Sequence, residues 1–180
     1  MSILDSIKGK LGSSKKVRRE EELNGYLKAS RDNLKLASDS VSRFLESVRD
    51  FQPARRHEPL YHEEVKGRLV NMKNLMNKGL VFLDEKMNNT INTLGYVKNT
   101  DQLKEMIDGW IKTIQANDEK VYDVLKILQV EMWSQDKINR GFPAPVSKDM
   151  ACNNLINAVN YLRDAKIHLE TYITANVPVN

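Results

Sequence analysis

Four stretches of this 180-residue chain return an apolar residue every three or four positions, and no proline falls inside any of them. The first runs Leu23, Leu27, Ser30, Leu34, Ala37, Val41, Phe44, Val48, Phe51. The second runs Val65, Leu69, Met72, Met76, Leu80, Leu83, Met87, Ile91, Leu94, and the third Leu103, Ile107, Trp110, Ile114, Asn117, Val121, Val124, Leu128, Met132. Ala151, Leu155, Ala158, Leu162, Ala165, Leu169 and Tyr172 make the fourth. A repeat near 3.5 residues marks one face of an α-helix. A strand needs alternation with period two, and no stretch keeps that for more than a few residues.

Punctuation between the runs agrees with four helices. Pro53 and Pro59 bracket QPARRHEP, where a helix cannot easily continue. Gly95 stands where helices commonly stop, and Asn99 with Gln102 resembles a capping box for the third run. Gly141, Pro143 and Pro145 mark a loop, after which Ser147 can cap the fourth helix. Each run is about 30 residues, hence ~45 Å long. Equal helices on short connections pack most simply up-down-up-down. Tyr26, Leu45, Leu75, Ile111 and Ile156 flank the stripes and widen them beyond a coiled-coil seam, which favours a globular bundle. The expected fold is all-α: an up-down-up-down four-helix bundle with a short basic amphipathic N-terminal extension.

Composition bounds the class. At 41% hydrophobic and 29% charged, the chain can bury a core without disulfides. Nothing approaches 18 uninterrupted apolar residues, so no membrane-spanning helix is expected. No secretory leader is expected either, since the first residues lack a long apolar core. The single Cys152 suits a reducing compartment, and a cytoplasmic protein is expected, soluble or peripheral at a membrane.

Charge is segregated along the chain. Residues 1–19 hold Lys8, Lys10, Lys15, Lys16, Arg18 and Arg19 against Asp5 alone, a local +5 within an overall +4, which leaves −1 for the rest. The sequence thus divides into a basic tail, 1–19, and a near-neutral bundle, 20–180. Ile3, Leu4, Ile7 and Leu11 give the tail an amphipathic turn or two, weakened by Gly9 and Gly12, and GSSKKVRR reads as a flexible basic linker. Glu20, Glu21 and Glu22 suit the start of the first long helix. Apolar residues beside a basic run are the composition of a segment that binds an anionic membrane surface. The same charges suit nucleic-acid phosphates, although the tail lacks an aromatic residue for stacking on bases. Candidate anion or membrane contacts are therefore Ile3, Leu4, Ile7, Lys8, Lys10, Lys15, Lys16, Arg18 and Arg19.

Catalytic and metal signals are sparse. Di-iron bundles need Glu three residues before His, and Ala54, Pro59 and Ala165 occupy those places. No acid lies in the four stripes, so no metal or other cofactor is expected. His57 and His62 beside Glu58, Glu63 and Glu64 read as a solvated polar turn. Phosphate-binding glycine loops and G-x-S-x-G are absent, and no small-molecule substrate is evident. Cys152, on the edge of the fourth stripe, reads as a small buried hydrophobe. Asn117 replaces an apolar residue in the third stripe and needs a partner if buried.

One short pattern points to chemistry. Arg163-Asp164-Ala165-Lys166-Ile167-His168 resembles the R-x4-6-H motif of the HEPN family of helical ribonucleases, over six residues. The resemblance implies that Arg163 and His168 act together on an RNA backbone, usually across a dimer. Arg56 and His62 meet the same spacing. On a straight helix five residues turn by about 500°, which leaves Arg163 and His168 about 140° apart. The primary expectation is non-catalytic: a helical-bundle interaction or structural protein whose basic tail contacts a membrane surface or nucleic acid. Self-association is also expected, through Met87, Tyr96, Val97, Trp133 and Phe142 near the helix ends.

Overall fold

A computed structural model describes the backbone of residues 3–48, 58–89, 100–132 and 148–176, and side chains within 14–46, 63–88, 100–120 and 153–176, Glu119 excepted. These are four helices: α1, Ile3–Val48; α2, Glu58–Asn89; α3, Thr100–Met132; and α4, Lys148–Asn176. No strand occurs among the described residues. The helices form a four-helix bundle in which α1 packs on α2 and α4, and α3 packs on the same two from the opposite corner.

Polar contacts between helices fix the direction of each pair. Arg19 meets Ala175 and Ser30 meets Ala165, so α1 and α4 run antiparallel. Arg31 pairs with Asp84 and Ser38 with Asn77, which sets α1 against α2 in the same sense. Lys104 with Glu170 and Asp108 with Lys166 do this for α3 and α4. In each pair residue numbers rise on one helix as they fall on the other. This is the up-down-up-down order.

The apolar stripes meet at the centre. Leu34, Val41, Met76, Leu83, Ile107, Leu162 and Leu169 are fully buried, with Trp110 and Phe44 the largest core side chains. Burial of each Leu- or Met-sized side chain contributes about 1.5–3 kcal/mol, and these residues are what hold the helices together. Among the flanking positions, Tyr26, Leu45 and Ile111 pack partly against the core. Leu75 and Ile156 do not: they are exposed, so the stripes of α2 and α4 are narrower there than their sequences imply.

Several boundaries differ from the sequence reading. The basic stretch GSSKKVRR is not a linker: α1 passes through it without a break and reaches 46 residues. Lys, Arg and Glu are good helix formers, and two serines and a glycine within a long helix do not outweigh them. α2 begins at Glu58, well ahead of Val65, where its apolar stripe starts, so His62 is helical and Pro59 sits in the first turn, where its missing N–H costs nothing. α3 starts at Thr100 and α4 at Lys148, next to the caps that the sequence proposes. Those caps, Asn99 and Ser147, lie outside the described residues, as do Gly95 and the end of the second stripe, Ile91 and Leu94.

Candidate functional site

The basic end of α1 is the place where charge accumulates. Its geometry follows from the length of α1 against its neighbours. Arg19 donates from Nη2 to the carbonyl of Ala175 at 2.7 Å, in the last turn of α4. Because the two helices are antiparallel and α4 ends at Asn176, residues 3–18 continue beyond it. At 1.5 Å per residue that is about 24 Å of helix past the end of α4. From Ser14 to Glu22 every residue is exposed, including Lys15, Lys16 and Arg18. Side chains of Ile3, Leu4, Ile7, Lys8 and Lys10 lie outside the described residues.

Arg19 has a structural task that the sequence did not reveal. The last carbonyls of a helix lack partners within it and carry the negative end of its dipole. A guanidinium on Ala175 answers both needs, and it locks the start of the bundle-packed part of α1. Lys15, Lys16 and Arg18 beside it remain exposed, and Lys8 and Lys10 stand earlier in the sequence of the same helix. Glu20, Glu21 and Glu22 follow at once, also exposed, so the basic surface ends sharply where the bundle begins.

The ribonuclease-like pair sits elsewhere, on α4. That helix is continuous through residues 163–168, so nothing bends Arg163 toward His168, and about 140° separates them around the axis. Arg163 is exposed and His168 half-buried. Between them, Lys166 Nζ lies 3.0 Å from Asp108 Oδ1 and 3.9 Å from Glu170 Oε1, while Lys104 Nζ reaches Glu170 at 3.5 Å. The carboxylate of Asp108, by hydrogen bond and charge, holds the Lys166 ammonium pKa above its ordinary value. This alternating row of charges zips α3 to α4. The other Arg–His spacing, Arg56 and His62, lies outside the described side chains, as do His57 and Cys152.

The two buried polar side chains of the stripes, Asn117 and Ser30, find partners locally. Asn117, 2% exposed, accepts from Arg68 Nη1 at 2.8 Å and donates to the Thr113 carbonyl at 2.6 Å. Arg68 also pairs with Glu64 on its own helix. Ser30, fully buried, donates to the Ala165 carbonyl at 2.9 Å. The two polar sites are separate and form no common cluster. Among the described residues, no three of His, Cys, Asp and Glu come together as a metal site would require. A recess of about 240 Å³, including solvent at its mouth, opens between Leu27, Phe82, Lys86, Thr100, Leu169 and Tyr172. That is below the size of a typical ligand pocket.

Among the described residues no helix is long and apolar enough to cross a membrane. Of the patch expected to drive self-association, Met87 is partly buried against the core, and Tyr96, Val97, Trp133 and Phe142 lie outside the described residues. No protein-family model, curated protein or solved structure matches the chain.

Proposed function

We propose that this chain is a non-catalytic interaction protein: a four-helix bundle that presents a basic helix to an anionic partner. One observation carries the reading. The exposed Lys15, Lys16 and Arg18 belong to a helix that runs past the bundle, while the remainder of the molecule is close to neutral. A helix holds its cations at fixed spacing, so they approach a surface of phosphates together, and each contributes about 1 kcal/mol near an anionic bilayer. No enclosed polar site of catalytic character competes with it among the described residues.

The test is a binding titration against anionic surfaces across a salt series, with the full chain and with residues 1–19 deleted. Affinity should fall steeply with salt, with a slope of log K on log salt no steeper than about −4.5 for duplex DNA, given the five basic residues that precede Arg19. Equal binding by the deleted chain would move the function to the bundle. Incubation of the same preparations with RNA checks the alternative. Cleavage that both Arg163→Ala and His168→Ala abolish would make the protein a ribonuclease instead.

A further inference from the structure

Once α1 is a single helix, the phase of its two apolar stripes becomes a physical quantity. Carried back from Leu23 and Leu27 in steps of seven, the core-facing register falls on Lys16, Gly9, Glu20, Ser13 and Ser6, none of them apolar. The core stripe therefore stops at Leu23. Ile7 and Leu11 lie twenty and sixteen residues before Leu27, which is buried in the core. At 100° per residue those separations place them about 200° and 160° around the axis from Leu27. Positions 3, 4, 7 and 11 thus form a second stripe on the side of α1 opposite to the bundle core. No continuous helix can bring both stripes to the same core.

Four of the five basic residues in 3–18 are arranged about this second stripe, and the fifth, Lys16, falls on the core-facing side. Lys8 and Lys15 fall about 60–80° to one side of its centre and Lys10 about 80° to the other, while Arg18 continues the stripe itself. Asp5, the one acid in the segment, lies on the far side. An apolar stripe edged by lysines is the pattern of a helix lying in a bilayer interface, its apolar positions below the headgroups and its ammonium groups at their level. A second copy of the chain fits less well, since pairing two such stripes brings like charges together.

We propose that residues 3–18 of α1 are a surface-lying membrane helix, selective for anionic lipid, that holds the bundle against the bilayer. The inference rests on the basic-helix reading above and names its partner as a lipid surface. Bilayer contact uses the stripe at Ile3, Leu4, Ile7 and Leu11 as well as the charges, whereas a nucleic acid would use the charges alone.

The experiment measures sedimentation of the full chain with phosphatidylcholine vesicles, with and without phosphatidylserine, and in parallel its binding to a DNA duplex. Ile7→Asp/Leu11→Asp should lower affinity for the phosphatidylserine vesicles at least about tenfold and leave duplex binding unchanged. Lys8→Gln/Lys10→Gln/Lys15→Gln should weaken binding to the same vesicles. Both variants should keep the parent's circular dichroism and thermal midpoint, because the core register does not include these positions. Undiminished vesicle binding by the aspartate variant overturns the inference, as does equal loss on vesicles and duplex. A chain that binds duplex but no vesicle overturns it while sparing the basic-helix reading, and one that binds neither defeats both. If the parent ignores vesicles and the aspartate variant turns a dimer into a monomer, the stripe belongs to a second copy.

Discussion

Gly79 and Trp110 show how far a single residue can decide helix placement. The Trp110 ring, 1% exposed, lies so close to α2 that a Cβ on Gly79 would overlap Cη2 and press Cζ3 and Cζ2 at 3.3 and 3.4 Å. A ring inside a packed core has little room to retreat. Gly79→Ala should therefore destabilise the protein by about 1–3 kcal/mol, although alanine is the better helix former. At Gly25, Gly67 and Gly109 a Cβ meets nothing within 4 Å. Alanine there should stabilise by up to about 1 kcal/mol each. Urea titration of the four variants checks both signs. Trp110 Nε1 is buried without a hydrogen-bond partner, so Trp110→Phe loses some packing but removes an unsatisfied donor. It should cost much less than Trp110→Ala, for which about 3–5 kcal/mol is expected. The third stripe identifies Trp110 as core from sequence. Gly79 carries no such signal, because its role exists only in the neighbour across the interface.

At the scale of elements, the α1–α4 pair is the closest seam of the bundle, built on small residues: Ser30 and Ala37 on one side, Ala158 and Ala165 on the other, all fully buried. Small residues let backbones approach, and the Ser30 hydroxyl then reaches the Ala165 carbonyl. Ser30→Ala should cost about 1 kcal/mol, since the carbonyl can keep its own helical hydrogen bond. Ser30→Leu should cost more, about 1–3 kcal/mol, by forcing the helices apart. Charged rows act more weakly. Arg31 is held above its ordinary pKa by Asp84, then Asp32, and Lys166 by Asp108, then Glu170. A cation whose folded pKa is raised stabilises fully below its unfolded pKa and loses that contribution as pH rises through the folded one. The Lys166 contribution is thus present at neutral pH and disappears above the ordinary lysine range. Asp108→Asn should remove it and flatten that alkaline loss in the thermal midpoint. Both partners are about one-third exposed, so a double-mutant cycle should return under about 1 kcal/mol.

For the whole molecule, the register of α1 separates a bundle from an extension without any break in the helix. The core begins at Leu23 and Leu27, and residues 14–22 are exposed. Deletion of residues 1–18 should leave the thermal midpoint within about 3 °C of the parent, because surface segments contribute little to stability. Deletion through Arg19 should also loosen the last turn of α4, which loses the donor on Ala175. Amide exchange near residue 175 reports that difference.

The helical period, the proline-free runs and the narrow spread of run lengths are local properties of the chain, and they were enough to determine four helices and which face of each is buried. Ser30, Trp110, Asn117 and Leu162 all occupy the interior that their spacing assigns them. The segregation of basic charge was equally plain, because it needs only counting. What depended on tertiary structure was every property that involves a second helix or the joining of two segments. Arg68 as partner of Asn117, Arg19 as cap of α4 and Gly79 as the seat of Trp110 come from residues distant in sequence that share one place only after packing. The continuity of α1 through residues 12–19 belongs with them. Glycine and serines there weaken a helix locally, and helix on both sides carries the backbone through, since extending a helix already formed costs far less than starting one.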